Sequence, residues 1–180
     1  RDYTRTGEYF ERAHALAQRM GDARLLARSL NRLANWYVNQ DNARRAIRLH
    51  EEALDILLEL GDRRGLAETY DFLNMASALG GDARAAARYG VQAVALYREL
   101  DDRQMLAGVL PSVAMCGPQA EMETCLAVED IELDVLGQCD EAITIARDIG
   151  FRSGESYAYM QRAMSLAALG EYGPAIEDGQ

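Results

Sequence analysis

Apolar residues recur at intervals of three and four along most of the chain. Leu26, Leu30, Leu33, Ala34 and Tyr37 make one such run, and Ala46, Leu49, Ala53, Ile56 and Leu57 make the next. This spacing lays one apolar stripe along a helix, and no segment alternates as a half-buried strand would. Polar turns punctuate the runs. Met20-Gly21-Asp22 returns as Leu60-Gly61-Asp62, as Leu100-Asp101-Asp102 and as Ile149-Gly150-Phe151, at steps of 40, 40 and 49 residues. Between them fall Gln40-Asp41-Asn42, Gly80-Gly81-Asp82 and Gly170-Glu171-Tyr172. Two columns repeat with the punctuation: Ala13, Ala53, Ala93 and Ala142, and Leu16, Ile56, Leu96 and Ile145.

Glycine after an apolar run is the usual helix stop, and the aspartate beside it suits the next N-cap. The pattern therefore predicts an all-α chain of antiparallel helix pairs. Helices are expected over 4–20, 23–39, 43–60, 63–79, 83–100, 103–116, 132–149 and 152–169, with a last one starting near Pro174. Pairs that touch only their neighbours build a solenoid. The chain reads as a single repeat domain over 1–180, of about four repeats, whose third is irregular at 117–131 and whose last is truncated. Helix 4–20 has no partner before it, so the chain reads as a piece of a longer protein with fraying or self-associating ends. In the irregular repeat, Gly108 and Pro111 predict a helix that is kinked or short.

These features resemble the tetratricopeptide repeat in its longer form. Leu30, Leu33, Ala34 and Tyr37 fill the large, large, small and aromatic places of a first helix; Tyr70, Leu73, Asn74 and Ser77 fill them less well. Ala46 with Ala53, and Ala86 with Ala93, supply the paired alanines of the second helix, and Ala163 and Ala175 continue the pattern. The resemblance implies a right-handed superhelical solenoid with a concave face lined by the first helix of each pair. The lining positions it implies are Arg28, Asn31, Asn35 and Asn39, then Glu68, Asp71 and Met75, then Met115, then Tyr157, Met160 and Met164. As a groove these residues would be exposed and lightly packed. The amides of Asn31 and Asn35 would suit a peptide backbone or a polar small ligand. Met75, Met115 and Met164 would form a soft apolar stripe, or else fill the core.

The function implied is a protein–protein interaction scaffold of a bacterial regulatory or signalling protein, holding a partner peptide or helix on the concave face. A sensor of a small effector in a transcription regulator is the alternative, since the 40-residue spacing resembles arrays of MalT-like activators. An accessory array fused to a kinase or cyclase is a third reading.

Composition narrows the partners. The 180 residues carry a net charge of −10, and all 19 basic residues are arginine. Such a surface repels phosphate backbones, which argues against nucleic acid. No uncharged stretch reaches the roughly 20 apolar residues of a membrane span. Cys116, Cys125 and Cys139 make an odd count without a close pair, which fits a reducing cytoplasm and small buried hydrophobes better than a redox or metal site. His14 and His50 fall at different places in their repeats, and His50 reads as a solvated or hydrogen-bonded helix residue. No nucleophile, base and orienter stand together, so the segment is expected not to be an enzyme and to hold no cofactor or metal.

Overall fold

The computed structural model describes residues 3–115 and 133–180. Cys116, Cys125 and the irregular stretch at 117–131 lie outside the described residues. The described chain is helical throughout: α1 (Tyr3–Met20), α2 (Ala23–Val38), α3 (Ala43–Leu60), α4 (Arg63–Leu79), α5 (Ala83–Glu99), α6 (Arg103–Ala114), α7 (Val135–Asp148), α8 (Arg152–Ala168) and α9 (Tyr172–Asp178).

The turns explain these boundaries. A left-handed residue stands at Gly21, Asp41, Gly61, Gly81 and Asp101, a strict step of 20 residues, and again at Gly150 and Gly170. Glycine meets this conformation without a Cβ clash, and aspartate tolerates it better than most residues. After each of the first five the next residue caps the following helix, and Asp134 does so before α7, whereas Glu171 after Gly170 makes no such cap. The side chains of Asp22, Asn42, Asp62, Asp82, Asp102 and Asp134 each accept the backbone N–H three residues on, at 2.9–3.2 Å. Phe151 holds the same place before α8 but has no oxygen to offer. Its ring lies instead so close to Gly154 that a Cβ there would approach within 2.3 Å. α6 has 12 residues, against 17 in α4, and contains Pro111. The missing N–H of Pro111 leaves the turn below it one hydrogen bond short, in line with the expected shortening.

Each helix packs against its neighbours in sequence, and α2 also meets α4, α4 meets α6 and α6 meets α8. The first helices of successive pairs thus lie side by side along one face of an all-α solenoid. Alanines at the crossings let the helices approach closely: Ala46, Ala53, Ala86, Ala93 and Ala142 are fully buried. The N-terminal core joins Ala27, Leu30, Ala53, Leu57 and Leu66; a larger one joins Val94, Tyr97, Leu106, Leu110, Val113 and Ile143. The first members of the two repeating columns depart from the rest. Ala13 is exposed and Leu16 is 50% exposed, because α1 packs mainly against α2 and has no helix before it to cover its other face among the described residues. At the other end α9 buries no residue. A bidentate pair from Arg162 to Asp178, at 2.6 and 2.7 Å, ties it to α8. Cys139 is fully buried on α7, and burial, with Asp140 beside it, pushes its thiol up to about 11. It packs as a small hydrophobe.

Candidate functional site

Two cavities open along the row of first helices. The first, of about 280 Å³, lies between α2 and α4 and is polar: Arg24, Arg28, Asn31, Asp62, Arg64 and Glu68 line it, with Leu57 and Gly65 at its base. Its charges are largely matched. Arg24 pairs with Asp62 at 2.8 Å, and Arg64 lies 2.8 Å from Asp102 and 3.7 Å from Glu68.

Below this cavity a polar chain is sealed between α2, α3 and α4. The Asn31 Nδ2 donates to Thr69 Oγ1 at 2.8 Å, and that hydroxyl donates to the Gly65 carbonyl at 2.8 Å. On its other side the Asn31 Oδ1 accepts from His50 Nδ1 at 2.8 Å. This contact assigns the proton of a neutral imidazole to Nδ1. The ring is fully buried and stacks on Phe72 at 5.4 Å, leaving Nε2 without a partner. Burial lowers the imidazole to about 3, so it stays uncharged at neutral pH. One expectation is corrected here: Asn31 is not an exposed amide but 6% accessible. Of the two readings of His50, the hydrogen-bonded one holds and the solvated one does not. The flanking Arg48, Glu51 and Glu52 face outward while the helix turns His50 into the seam.

The second cavity, of about 360 Å³, lies between α4, α6 and the turn into α8. Its walls are mostly apolar, with Phe72, Met75, Met105, Gly108 and Phe151, and include the polar Gln104 and the buried Ser112. Asp71 enters this lining as its one carboxylate. Burial, and then the neighbouring Glu68, raise its carboxyl to about 6. Asp71 makes no hydrogen bond or ion pair among the described residues. Tyr157 reaches the rim from α8, its hydroxyl 3.4 Å from Ser112 Oγ.

The implied lining residues therefore divide. Arg28, Asn31 and Glu68 meet at the first cavity and Asp71 and Met75 at the second, which Tyr157 touches only through its contact with Ser112. Asn35 is half-buried, and the exposed Asn39 folds its amide back onto the Asn35 carbonyl at 2.7 Å. Met115 is half-buried at the end of α6, while Met160 and Met164 are 48% and 55% exposed on α8. The groove that holds Met75 is completed by Met105, not by Met115 or Met164. The sequence reading missed Phe72, Met105, Gly108 and Phe151. Gly108 had stood out only as a helix weakener.

These features define a helical repeat array with pockets between first helices. The tetratricopeptide repeat family matches over residues 1–59. The 20-residue step of left-handed turns continues beyond that segment to Asp101, so the rest of the chain is similar in spacing to the matched repeats. The crystal structure of BtubC (BKLC) from P. vanneervenii shares its fold, with a TM-score of 0.79 at 19% identity, over 98% of this chain and 70% of that one. No curated protein sequence matches the chain. Arrays of this family generally mediate protein–protein interaction and are typically non-catalytic. No helix among the described residues is long and apolar enough to cross a membrane.

Proposed function

We propose that the chain is a protein-interaction scaffold which holds a peptide or helix of a partner along α2, α4, α6 and α8. The observation that carries this reading is the second cavity. It is a mostly apolar groove between consecutive first helices, and Asp71 and Met75, which the family resemblance implied as lining residues, both line it. Soft methionine and aromatic walls suit inserted side chains of varied shape. On this reading the concave face is the working surface, the segment catalyses nothing, and 1–180 acts as one repeat domain in a bacterial cytoplasmic regulator. A small effector is the second reading, favoured by a groove volume in the range of small-molecule sites.

The test is the variant Met75→Ala. As a groove residue it should leave melting nearly unchanged yet weaken a peptide selected on the wild-type array by about thirtyfold, the scale of a hot spot. A stability loss of about 2–5 kcal/mol, as for a core methionine, refutes the groove assignment.

A further inference from the structure

The second cavity reads most clearly against the first. One 40-residue period carries Asn31 onto Asp71, His50 onto Gly90 and Thr69 onto Val109. Both polar partners that close around Asn31 are thus absent around Asp71. Gly90 cannot regain a side chain, since a Cβ there would lie 2.4 Å from Val113 and 2.9 Å from Asn74. Val109 is 1% exposed and offers only methyl groups. Asp71 is half-buried beside mostly apolar walls, and the buried, unpartnered Tyr97 hydroxyl on α5 lies near enough to feel its charge; no cation among the described residues pairs with the carboxylate, which leaves it open to a counter-ion from outside the fold.

Gly108 points the same way. It sits inside α6, where glycine weakens a helix by about 1 kcal/mol relative to alanine. Yet a Cβ there would meet nothing within 4 Å. No packing demands the glycine; its effect is to keep the groove open beside Asp71.

We propose that this groove takes a cationic side chain, arginine or lysine, from a partner segment. Asp71 is the counter-ion, and Phe72, Met75 and Met105 receive the methylene stem. The inference rests on the scaffold reading above and adds the chemistry of the partner. A guanidinium or ammonium would gain an ion pair in a half-buried site, together with contact to an aromatic face and two thioethers. One carboxylate among thioethers and a phenyl ring does not match a hard metal ion, which wants six or more oxygens. The net charge of −10 favours a basic partner from a distance as well.

The test labels the methionine methyls with carbon-13 and titrates the folded array with n-butylguanidinium, n-butylammonium and neutral n-butylurea. Saturable shifts of the Met75 and Met105 methyls are expected with both cations, and affinity for the urea should be at least about tenfold lower. Asp71→Asn should remove the preference for charge while its melting stays at or above wild type. Gly108→Leu, a better helix former that fills the groove, should abolish the shifts altogether. Equal binding of the urea, an unchanged Asp71→Asn, or shifts confined to exposed methionines would overturn the proposal. Selection of random peptides on the array separates it from the scaffold reading. Peptides that bind this face without enrichment in arginine or lysine overturn the cationic occupant and leave the scaffold standing. Cations that bind while no peptide does overturn the partner as their source, and with it the scaffold.

Discussion

Asn31 and Asp71 hold the same place in consecutive repeats and meet opposite fates. Asn31 is closed in by partners 19 and 38 residues downstream, each at 2.8 Å. Asp71 finds glycine and valine at those two steps and opens into a groove instead. The backbone does not distinguish them. What a first-helix polar residue does in this array is decided by one residue on the following helix and one on the helix after that. A repeat position is therefore not by itself a binding position; it becomes one where the fold declines to satisfy it.

The comparison assumes that both repeats share one packing frame, and the strongest test attacks that frame. Ala53→Glu and Ala93→Glu occupy the same fully buried crossing and should each lose about 4 kcal/mol or more in denaturant unfolding. Either variant unfolding within about 0.5 kcal/mol of wild type would show that the two crossings are not equivalent. Next, Asn31→Ala strands the His50 and Thr69 groups and should lower stability by about 1–3 kcal/mol. Asp71→Asn should act in the opposite direction, with a gain at pH 7 of about 1 kcal/mol, since it removes an unpaired carboxylate. A destabilised Asp71→Asn would mean that the carboxylate has an internal role.

The two sites also answer pH with opposite signs. His50 is held near 3 in the fold and returns to its ordinary 6.5 on unfolding. The unfolded chain thus binds more protons between those values, and stability falls as pH drops from about 6.5. Asp71 is raised to about 6 in the fold from an ordinary 3.8. There the folded chain binds more protons, and stability rises as pH drops from 6 toward 4. The two slopes, each at most about 1.4 kcal/mol per pH unit, offset one another in the wild type. In Asp71→Asn the His50 slope should emerge, and the advantage of this variant at pH 7 should vanish by about pH 4 in melting curves. An advantage that persists at pH 4 would contradict the raised carboxyl.

The smallest expected effect lies in the turns. Asp101→Gly should raise stability by a few tenths to about 1 kcal/mol, because the φ of 51° strains a residue with a Cβ. Gly61→Asp at the corresponding turn, with φ 62°, should lose a similar amount in the same thermal melts.

The helices were legible in the sequence because their ends are local chemistry. A left-handed residue followed by Asp or Asn sets a stop and a cap within two residues, and the helix starts at Ala23, Ala43, Arg63, Ala83 and Arg103 follow from it. Phe151 breaks the cap rule, yet Gly150 preserved the boundary. The site was legible only in part. Met75 and Asp71 could be placed on the inner row by repeat register. The burial of Asn31 could not, since it depends on His50, whose charged neighbours on α3 suggest a wet face. Gly108 looked like a defect because helix propensity is a local property, whereas the groove it keeps open is made by α4 and the α7–α8 turn.

The strict 20-residue step of the left-handed turns has a consequence for how such an array can grow or shrink. Excising residues 41–80 would join Gln40 to Gly81 with every turn and cap still in phase, so the splice would be sterically seamless. The side chains would not be interchangeable. Asn31 would then face Gly90 and Val109 in place of His50 and Thr69, and its amide would be stranded. The modules of this chain are alike in shape but indexed by their polar pairs, so the order of its repeats is written into the seam.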